Sequence, residues 1–207
     1  MTETSLPTIT VVFRSMSPAA TLELSTALYD CGVRGFEVTM TGDRPMETVA
    51  LLGAELPADA LVGAGTVTTA EEVAASAAAG ARFVVSPHLD TDVVARTRGE
   101  GLVSVPGAFT PTEIMAARRA GADVVKVFPI NAVGADYVRQ LRGPMPDLRV
   151  MASGGVTPEL ARELGEAGVR HLAVGHHLLG AQPDGAFDPA RVHERTGEFL
   201  RACEETA

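Results

Sequence analysis

The sequence has few of the features that mark secreted or membrane proteins. Among 207 residues it has two cysteines and no tryptophan, and aromatic residues make up 4%. Cys31 and Cys203 lie too far apart in the chain to indicate a disulfide-rich domain, and no cationic region precedes an apolar one at the N-terminus. No apolar run approaches the roughly 18 residues of a membrane-spanning helix. We therefore expect a cytoplasmic protein that does not interact with membranes.

Positive charge is also scarce. The chain has 17 Lys and Arg against 26 Asp and Glu, which gives a net charge of -9 at pH 7. Nucleic acids and anionic membranes need clustered Lys and Arg to replace their counterions, so we expect no nucleic-acid partner. An anionic ligand must then be held locally. The apolar fraction of 46% is ample for a buried core.

Glycine and alanine are abundant, and the glycines form a quasi-repeat. An amphipathic run, a glycine and a short β-branched run recur, as expected for a helix that ends in a left-handed turn before a strand. Thr69 with Glu72, and Thr110 with Glu113, have the spacing of capping boxes that begin helices. The repeats are CGVRGFEV from Cys31, AGARFVV from Ala79, AGADVVKV from Ala120 and AGVRHLAV from Ala167.

Eight short apolar runs, spaced by about 19 to 26 residues with helical patterns between them, predict eight strands. They lack strict alternation, as is typical of strands covered on both faces. Eight βα units predict an α/β protein with a (β/α)8 TIM barrel, formed by residues 1–207 as one domain. An open doubly wound sheet needs only about five strands and leaves the others unplaced.

Lys126 is the most informative residue of the predicted strands. It interrupts the apolar run Val124, Val125, Val127 and Phe128, which should be buried. A buried lysine is either paired with a carboxylate or kept neutral, and a neutral amine is a nucleophile toward carbonyl groups. In a barrel of this type the reactive groups lie at the carboxyl ends of the strands. A structural lysine in a buried ion pair is the alternative interpretation.

Glu37 and Lys126 occupy equivalent positions in their repeats. Each lies the same number of residues after the glycine that ends the preceding helix. Both lie on even-numbered strands of the predicted barrel. Alternate strands contribute side chains to a common layer of the barrel interior, and the other two members of this layer would be Val85 and Ala173. A lysine and a glutamate that share a dry pocket suit Schiff-base chemistry, in which the carboxylate moves protons. We therefore predict that Lys126 and Glu37 are catalytic.

Two glycine-bearing loops follow later strands. Ser153, Gly154 and Gly155 follow one strand, and Gly175 with His176 follows the last. Barrels of this type commonly bind phosphate at these places through backbone N–H groups, although a tight turn is the usual role of a Gly-Gly pair.

The five histidines do not form a metal-binding motif. His176 and His177 are adjacent, so on a strand they point to opposite faces, and no HxH or HExxH spacing is present. We predict no metal and no cofactor.

The order of several segments resembles the class I aldolases of the KDPG/KHG family. The resemblance covers nearly the whole chain. It implies a homotrimeric barrel without a metal, which cleaves a 2-keto-3-deoxy sugar acid phosphate to pyruvate and an aldehyde. The matching segments are GFEVTM at Gly35, VGAGTVTTAEE at Val62, VVSPHLD at Val84, VPGAFTPTE at Val105, VKVFPINAVG at Val125 and ASGGVTPE at Ala152.

The resemblance also implies roles for single residues. Lys126 matches the Schiff-base lysine and Glu37 the proton-transferring glutamate. Thr66 matches a threonine near the pyruvyl carboxylate, and Arg14 an arginine that binds substrate in some branches. Phe128 is expected to shape the pocket wall.

The chain departs from the family pattern at two positions. Thr41 stands where some members have a substrate-binding arginine, so Arg14 or Arg44 must supply the cation. Gly175 and His176 stand where members often have a Gly-Ser pair that contacts phosphate, and a histidine can still donate to phosphate through its ring N–H. The alternatives are a 4-hydroxy-2-oxoglutarate aldolase, a sugar-phosphate epimerase or isomerase, and a non-catalytic metabolite-binding barrel.

Overall fold

Strands and helices alternate along residues 6–205, the part of the chain that the computed structural model describes. The ends of the predicted domain, residues 1–5 and 206–207, lie outside the described residues. The strands are β1 Ile9–Phe13, β2 Gly35–Thr39, β3 Leu61–Gly65, β4 Phe83–Val85, β5 Val103–Val105, β6 Gly107–Ala108, β7 Val125–Val127, β8 Val150–Ser153 and β9 His171–Gly175. The helices are α1 Pro18–Asp30, α2 Pro45–Glu55, α3 Ala70–Ala78, α4 Thr91–Gly99, α5 Pro111–Arg119, α6 Gly134–Arg142, α7 Pro158–Glu166 and α8 Pro189–Glu204, with 3-10 turns at Ile130–Ala132 and His176–Leu179.

All strand pairs are parallel, and the sheet runs in the order β5-β4-β3-β2-β1-β9-β8-β7-β6. Its two ends, β5 and β6, are consecutive pieces of one strand separated by Pro106, so the sheet nearly closes on itself. Proline has no N–H to donate to the strand ladder, which accounts for the break. The predicted (β/α)8 barrel is confirmed, with its fifth strand in two pieces.

Local sequence signals set the ends of the helices. The capping boxes predicted at Thr69 and Thr110 are present, because each hydroxyl accepts a hydrogen bond from the backbone N–H of Glu72 or Glu113. Each glutamate side chain in turn accepts from the cap backbone N–H. The predicted helix-stop glycines all have a positive φ that disfavours other residues: Gly32, Gly80, Gly121 and Gly168.

The core has two parts. The larger lies between the strands and the outer helices, and the smaller fills the barrel interior. Leu61, Phe83 and Val124, at or next to the amino ends of their strands, belong to the inner part. Lys126 lies two residues beyond Val124, and Glu37 lies in register with Gly63, two residues beyond Leu61, so both charged residues lie further along their strands. In residues 6–205 no helix is long and apolar enough to cross a membrane.

Candidate active site

Lys126 lies in the middle of β7 and points into the barrel. Its neighbours Val125 and Val127 belong to the outer core, so the side chain between them faces inward. It is 6% exposed, and its register partner Met151 is part of the inner core. It is also the only lysine among the 207 residues of the sequence, although the chain contains many arginines. Unlike an arginine guanidinium, a buried lysine amine readily shifts its pKa and loses its proton.

The surroundings of Lys126 favour its neutral form. Burial lowers the pKa of the amine; the negative charge of Glu37 opposes this effect, and the positive charge of Arg14 adds to it. The Nζ atom lies 5.0 Å from the ring centroid of Phe128, which follows β7 and is 37% exposed. The ring therefore forms a wall beside the amine, and the neutral amine is a nucleophile.

Glu37 lies in the middle of β2 and is 3% exposed. Its Oε2 atom is buried and has no hydrogen-bond partner within residues 6–205. Burial raises the pKa of the carboxyl group, against the opposing effects of Lys126 and Arg14. A protonated carboxyl group donates a proton, and an unpartnered buried oxygen is available to a ligand. Opposite pKa shifts at two buried groups are typical of functional sites.

Gly65, at the end of β3, makes room for the Glu37 side chain. A Cβ atom added at this position would lie 1.9 Å from Oε1 of Glu37. No side chain other than hydrogen fits there while the carboxylate keeps its place. Sequence reasoning missed this role, because a glycine in a strand does not reveal which side chain it accommodates.

Thr66 and Arg14 lie at the same end of the barrel. Thr66 follows β3 with φ +58°, and Ser15, next to Arg14, has φ +54°. Within residues 6–205 the only other non-glycine residue with a positive φ is Arg44, in the loop after β2. A positive φ at a residue other than glycine is a strained backbone conformation. It is rare, particularly for a β-branched threonine, and such residues cluster at ligand sites. Arg14 is exposed, and its charge acts on both Lys126 and Glu37.

Arg44 is less well placed than Arg14 to supply the positive charge that Thr41 does not provide. Its side chain is 58% exposed, and its guanidinium lies 2.9 Å from the carboxylate of Glu47. Thr41 lies beside Thr39, with 3.0 Å between the hydroxyl oxygens, and Thr39 donates to the carbonyl oxygen of Phe13. Of the two predicted arginines, Arg14 is therefore the better candidate for an anionic group of a substrate.

The loop after β8 is tightly folded. Ser153 is buried at the end of the strand, and Gly154 and Gly155 have φ values of +97° and +64°. A Cβ on Gly155 would lie 2.5 Å from Nδ2 of Asn131, whose backbone N–H donates to the Gly154 carbonyl at 3.2 Å. The glycines are thus required by the turn and by packing, and their contact with phosphate stays a prediction.

The side chain of His176 does not join the other predicted residues. Its ring is buried, donates from Nδ1 to the Val12 carbonyl at 3.1 Å, and stacks on Phe13 of the outer core at a centroid distance of 6.1 Å. Burial lowers its pKa, so the ring is held neutral. The predicted substrate contact would fall to its backbone. The adjacent His177 is exposed, and its ring lies next to Gly175.

Metal-ligating side chains are dispersed over the described structure. Within residues 6–205, no three His, Cys, Asp or Glu side chains are grouped so that they could hold one ion. The absence of a metal and of a cofactor from the reaction stays a prediction.

Known proteins resemble this chain in sequence and structure. A family model described as KDPG and KHG aldolase matches residues 3–192. The chain is 33% identical over 204 residues to 2-dehydro-3-deoxy-6-phosphogalactonate aldolase of Escherichia coli K12, which covers 98% of this chain and 97% of that protein. It is 39% identical over 147 residues to 2-dehydro-3-deoxy-phosphogluconate aldolase of Treponema pallidum, with 67% and 70% covered. A solved structure described as native KDPGal superposes with a TM-score of 0.89 at 30% identity, over 99% of this chain and 97% of that chain.

Proposed function

Because the chain belongs to the KDPG and KHG aldolase family and is therefore a lyase, we propose that it cleaves a 2-keto-3-deoxy sugar acid through a Schiff base on Lys126. The proposed substrate carries a phosphate on carbon six, and the products are pyruvate and an aldehyde such as glyceraldehyde 3-phosphate. The observation that carries this proposal is the buried pair of Lys126 and Glu37, whose pKa shifts favour a neutral amine and a protonated acid.

The first half of the reaction forms the imine. The neutral amine of Lys126 attacks the C2 carbonyl carbon and gives a carbinolamine. Glu37 donates a proton to the departing hydroxyl group, water leaves, and a protonated imine remains. The dry interior around both groups stabilises their neutral starting forms.

The second half breaks the C3–C4 bond. The C4 hydroxyl loses its proton to the Glu37 carboxylate, the aldehyde forms, and the bonding electrons move into the imine to give an enamine. The enamine takes a proton at C3 from Glu37, and water then releases pyruvate and the free amine. Glu37 thus serves every proton transfer.

The remaining predicted residues bind the substrate in this proposal. Arg14 and Thr66 hold the carboxylate beside the imine, and Phe128 closes one wall. The loops that contain Ser153 to Gly155 and Gly175 to His176 receive the distal phosphate. The exposed position of Arg14 and the strained backbone at Thr66 support these assignments.

The substrate itself is tested by a panel of acids. The relatives named above act on gluconate-type and galactonate-type acids, which differ in configuration at C4. We expect pyruvate release from at least one of the two 6-phosphorylated epimers, with a kcat/KM at least about 10-fold above that of its unphosphorylated form. The panel also includes 4-hydroxy-2-oxoglutarate. Pyruvate from that acid alone would contradict the proposed substrate, and no pyruvate from any acid would contradict the function.

The proposal includes a homotrimer, which is supported by the resemblance to the family. Light scattering of the purified protein measures the mass in solution. A mass of three chains is expected, and a monomer at micromolar concentration would contradict this part of the proposal.

Gly65→Ala is expected to lower kcat by about 100-fold or more, because the added Cβ displaces the Glu37 carboxylate and a shift of about 1 Å in a reacting group has this effect. The measurement is kcat for pyruvate release, together with the melting temperature. The matched control is Gly53→Ala in α2, where an added Cβ meets no atom of the described residues within 4 Å. This control should keep full activity and gain about 0.5–1 kcal/mol in stability. A fully active Gly65→Ala enzyme would show that Glu37 need not keep its observed place.

A further inference from the structure

The ring of His177 lies at the mouth of the barrel, over the end of β9. Ala173 belongs to the core inside the barrel, and Gly175, two residues further along the strand, faces the same way. A Cβ added to Gly175 would lie 2.6 Å from Cε1 and 2.8 Å from Nδ1 of His177. The imidazole therefore occupies the interior side of the strand end, where a side chain of residue 175 would otherwise project.

This position is close to the catalytic glutamate. Gly175 pairs in register with Val12, and Val12 pairs with Glu37, so the three residues form one row across three neighbouring strands. With about 4.8 Å between neighbouring strands, the Cα atoms of Gly175 and Glu37 are separated by roughly 10 Å. The imidazole of His177 and the carboxyl group of Glu37 thus project from nearby positions on the same wall of the barrel mouth.

His176 anchors the backbone that carries His177. The buried ring of His176 is fixed by its hydrogen bond to the Val12 carbonyl and by its stacking on Phe13. The ring of His177 meets it edge-on, with 5.9 Å between the centroids and 88° between the planes. One histidine is therefore structural, and the other remains exposed to solvent and accessible to a ligand.

We propose that His177 contacts the distal phosphate of the substrate and determines the preference for a phosphorylated acid. This inference rests on the proposed function, which attaches C2 of the acid to Lys126 and leaves the phosphate at the far end of the molecule. The loop residues Ser153, Gly154, Gly155 and Gly175 carry no charge, and Arg14 is assigned to the carboxylate. The imidazole of His177, which lies against Gly175, adds a ring N–H donor beside these loops.

The test compares one pair of acids in two variants. In His177→Ala, we expect KM for the 6-phosphorylated acid to rise about 10-fold or more, with kcat changed by less than about 3-fold. KM for the unphosphorylated acid should change by less than about 2-fold. His177→Asn, whose side-chain amide keeps N–H donors on a shorter side chain, should fall between the wild type and His177→Ala. The matched control is His193→Ala on the outer helix α8, where the exposed histidine contacts Cys31, and this variant should behave as the wild type.

Three outcomes would overturn the inference: an unchanged KM in His177→Ala, an equal rise for both acids, or a wild type without preference for the phosphorylated acid.

The control for the proposed function is borohydride trapping of pyruvate on the wild type. Pyruvate has no distal group, so loss of trapping would contradict the Schiff-base mechanism. Normal trapping with an unchanged KM would overturn only the role of His177. If His177→Ala fails to fold, Gly175→Ala, whose Cβ displaces the imidazole, should raise the same KM, and an unchanged KM there would overturn the inference.

Discussion

Replacing Lys126 with alanine is expected to lower kcat by on the order of 10⁴-fold or more, because the covalent route through the imine is lost. The measurement is pyruvate release from the best acid of the panel under saturating conditions. No other lysine is present in the sequence to take over the reaction. The decrease in kcat should therefore correspond to complete removal of the nucleophile.

Lys126→Arg separates this account from a structural ion pair. Arginine supplies the positive charge that a structural ion pair with Glu37 requires, but it does not lose its proton in proteins, so it forms no imine. We expect Lys126→Arg to be as inactive as Lys126→Ala. An arginine variant that retained more than a few per cent of the wild-type kcat would show that Lys126 supplies only a charge.

Glu37→Gln is expected to lower kcat by about 10²–10⁴-fold, the usual contribution of a general acid and base. Glutamine has nearly the same shape, so the pocket and the amine remain. The variant should still form the reduced adduct with pyruvate and borohydride, at a lower rate than the wild type. Full turnover by Glu37→Gln would contradict the assignment of the proton transfers to this residue.

The same substitution has a second, pH-dependent effect on stability. Burial raises the pKa of Glu37 above its ordinary value of 4.5, so the folded wild type resists ionisation that the unfolded chain accepts. Its free energy of unfolding therefore decreases, relative to the glutamine variant, as the pH rises from below 4.5 toward the raised pKa. Urea unfolding of both proteins at several pH values measures this difference. A difference that moves in the opposite direction would show that the folded protein stabilises the charged carboxylate.

Much of the fold was predictable because its signals are local. The helix-stop glycines and the capping boxes at Thr69 and Thr110 depend on a few adjacent residues, and they occur where the pattern predicts them. The break of one strand at Pro106 was not predicted, because a proline near a strand end is compatible with either a continuous or an interrupted strand.

The site was predictable where a residue contradicts its local pattern. Lys126 and Glu37 stand out because they are charged residues in apolar runs. The role of Gly65 depends on a side chain from the neighbouring strand, which no local pattern records. The orientations of His176 and His177 depend on the 3-10 turn that follows β9, which ends the alternation of a strand at that point.

Borohydride trapping with pyruvate is the most direct test of a Schiff base on Lys126. Lys126 is the only lysine, so the only other amine of the unmodified chain is at its N-terminus. A reduced adduct also blocks tryptic cleavage after Lys126 and leaves the peptide 120–139 whole. We expect this peptide to carry the mass of one reduced pyruvate, and Lys126→Ala to gain none. Pyruvate release by an enzyme that gives no adduct, or an adduct found only at the N-terminus, would contradict a Schiff base on Lys126.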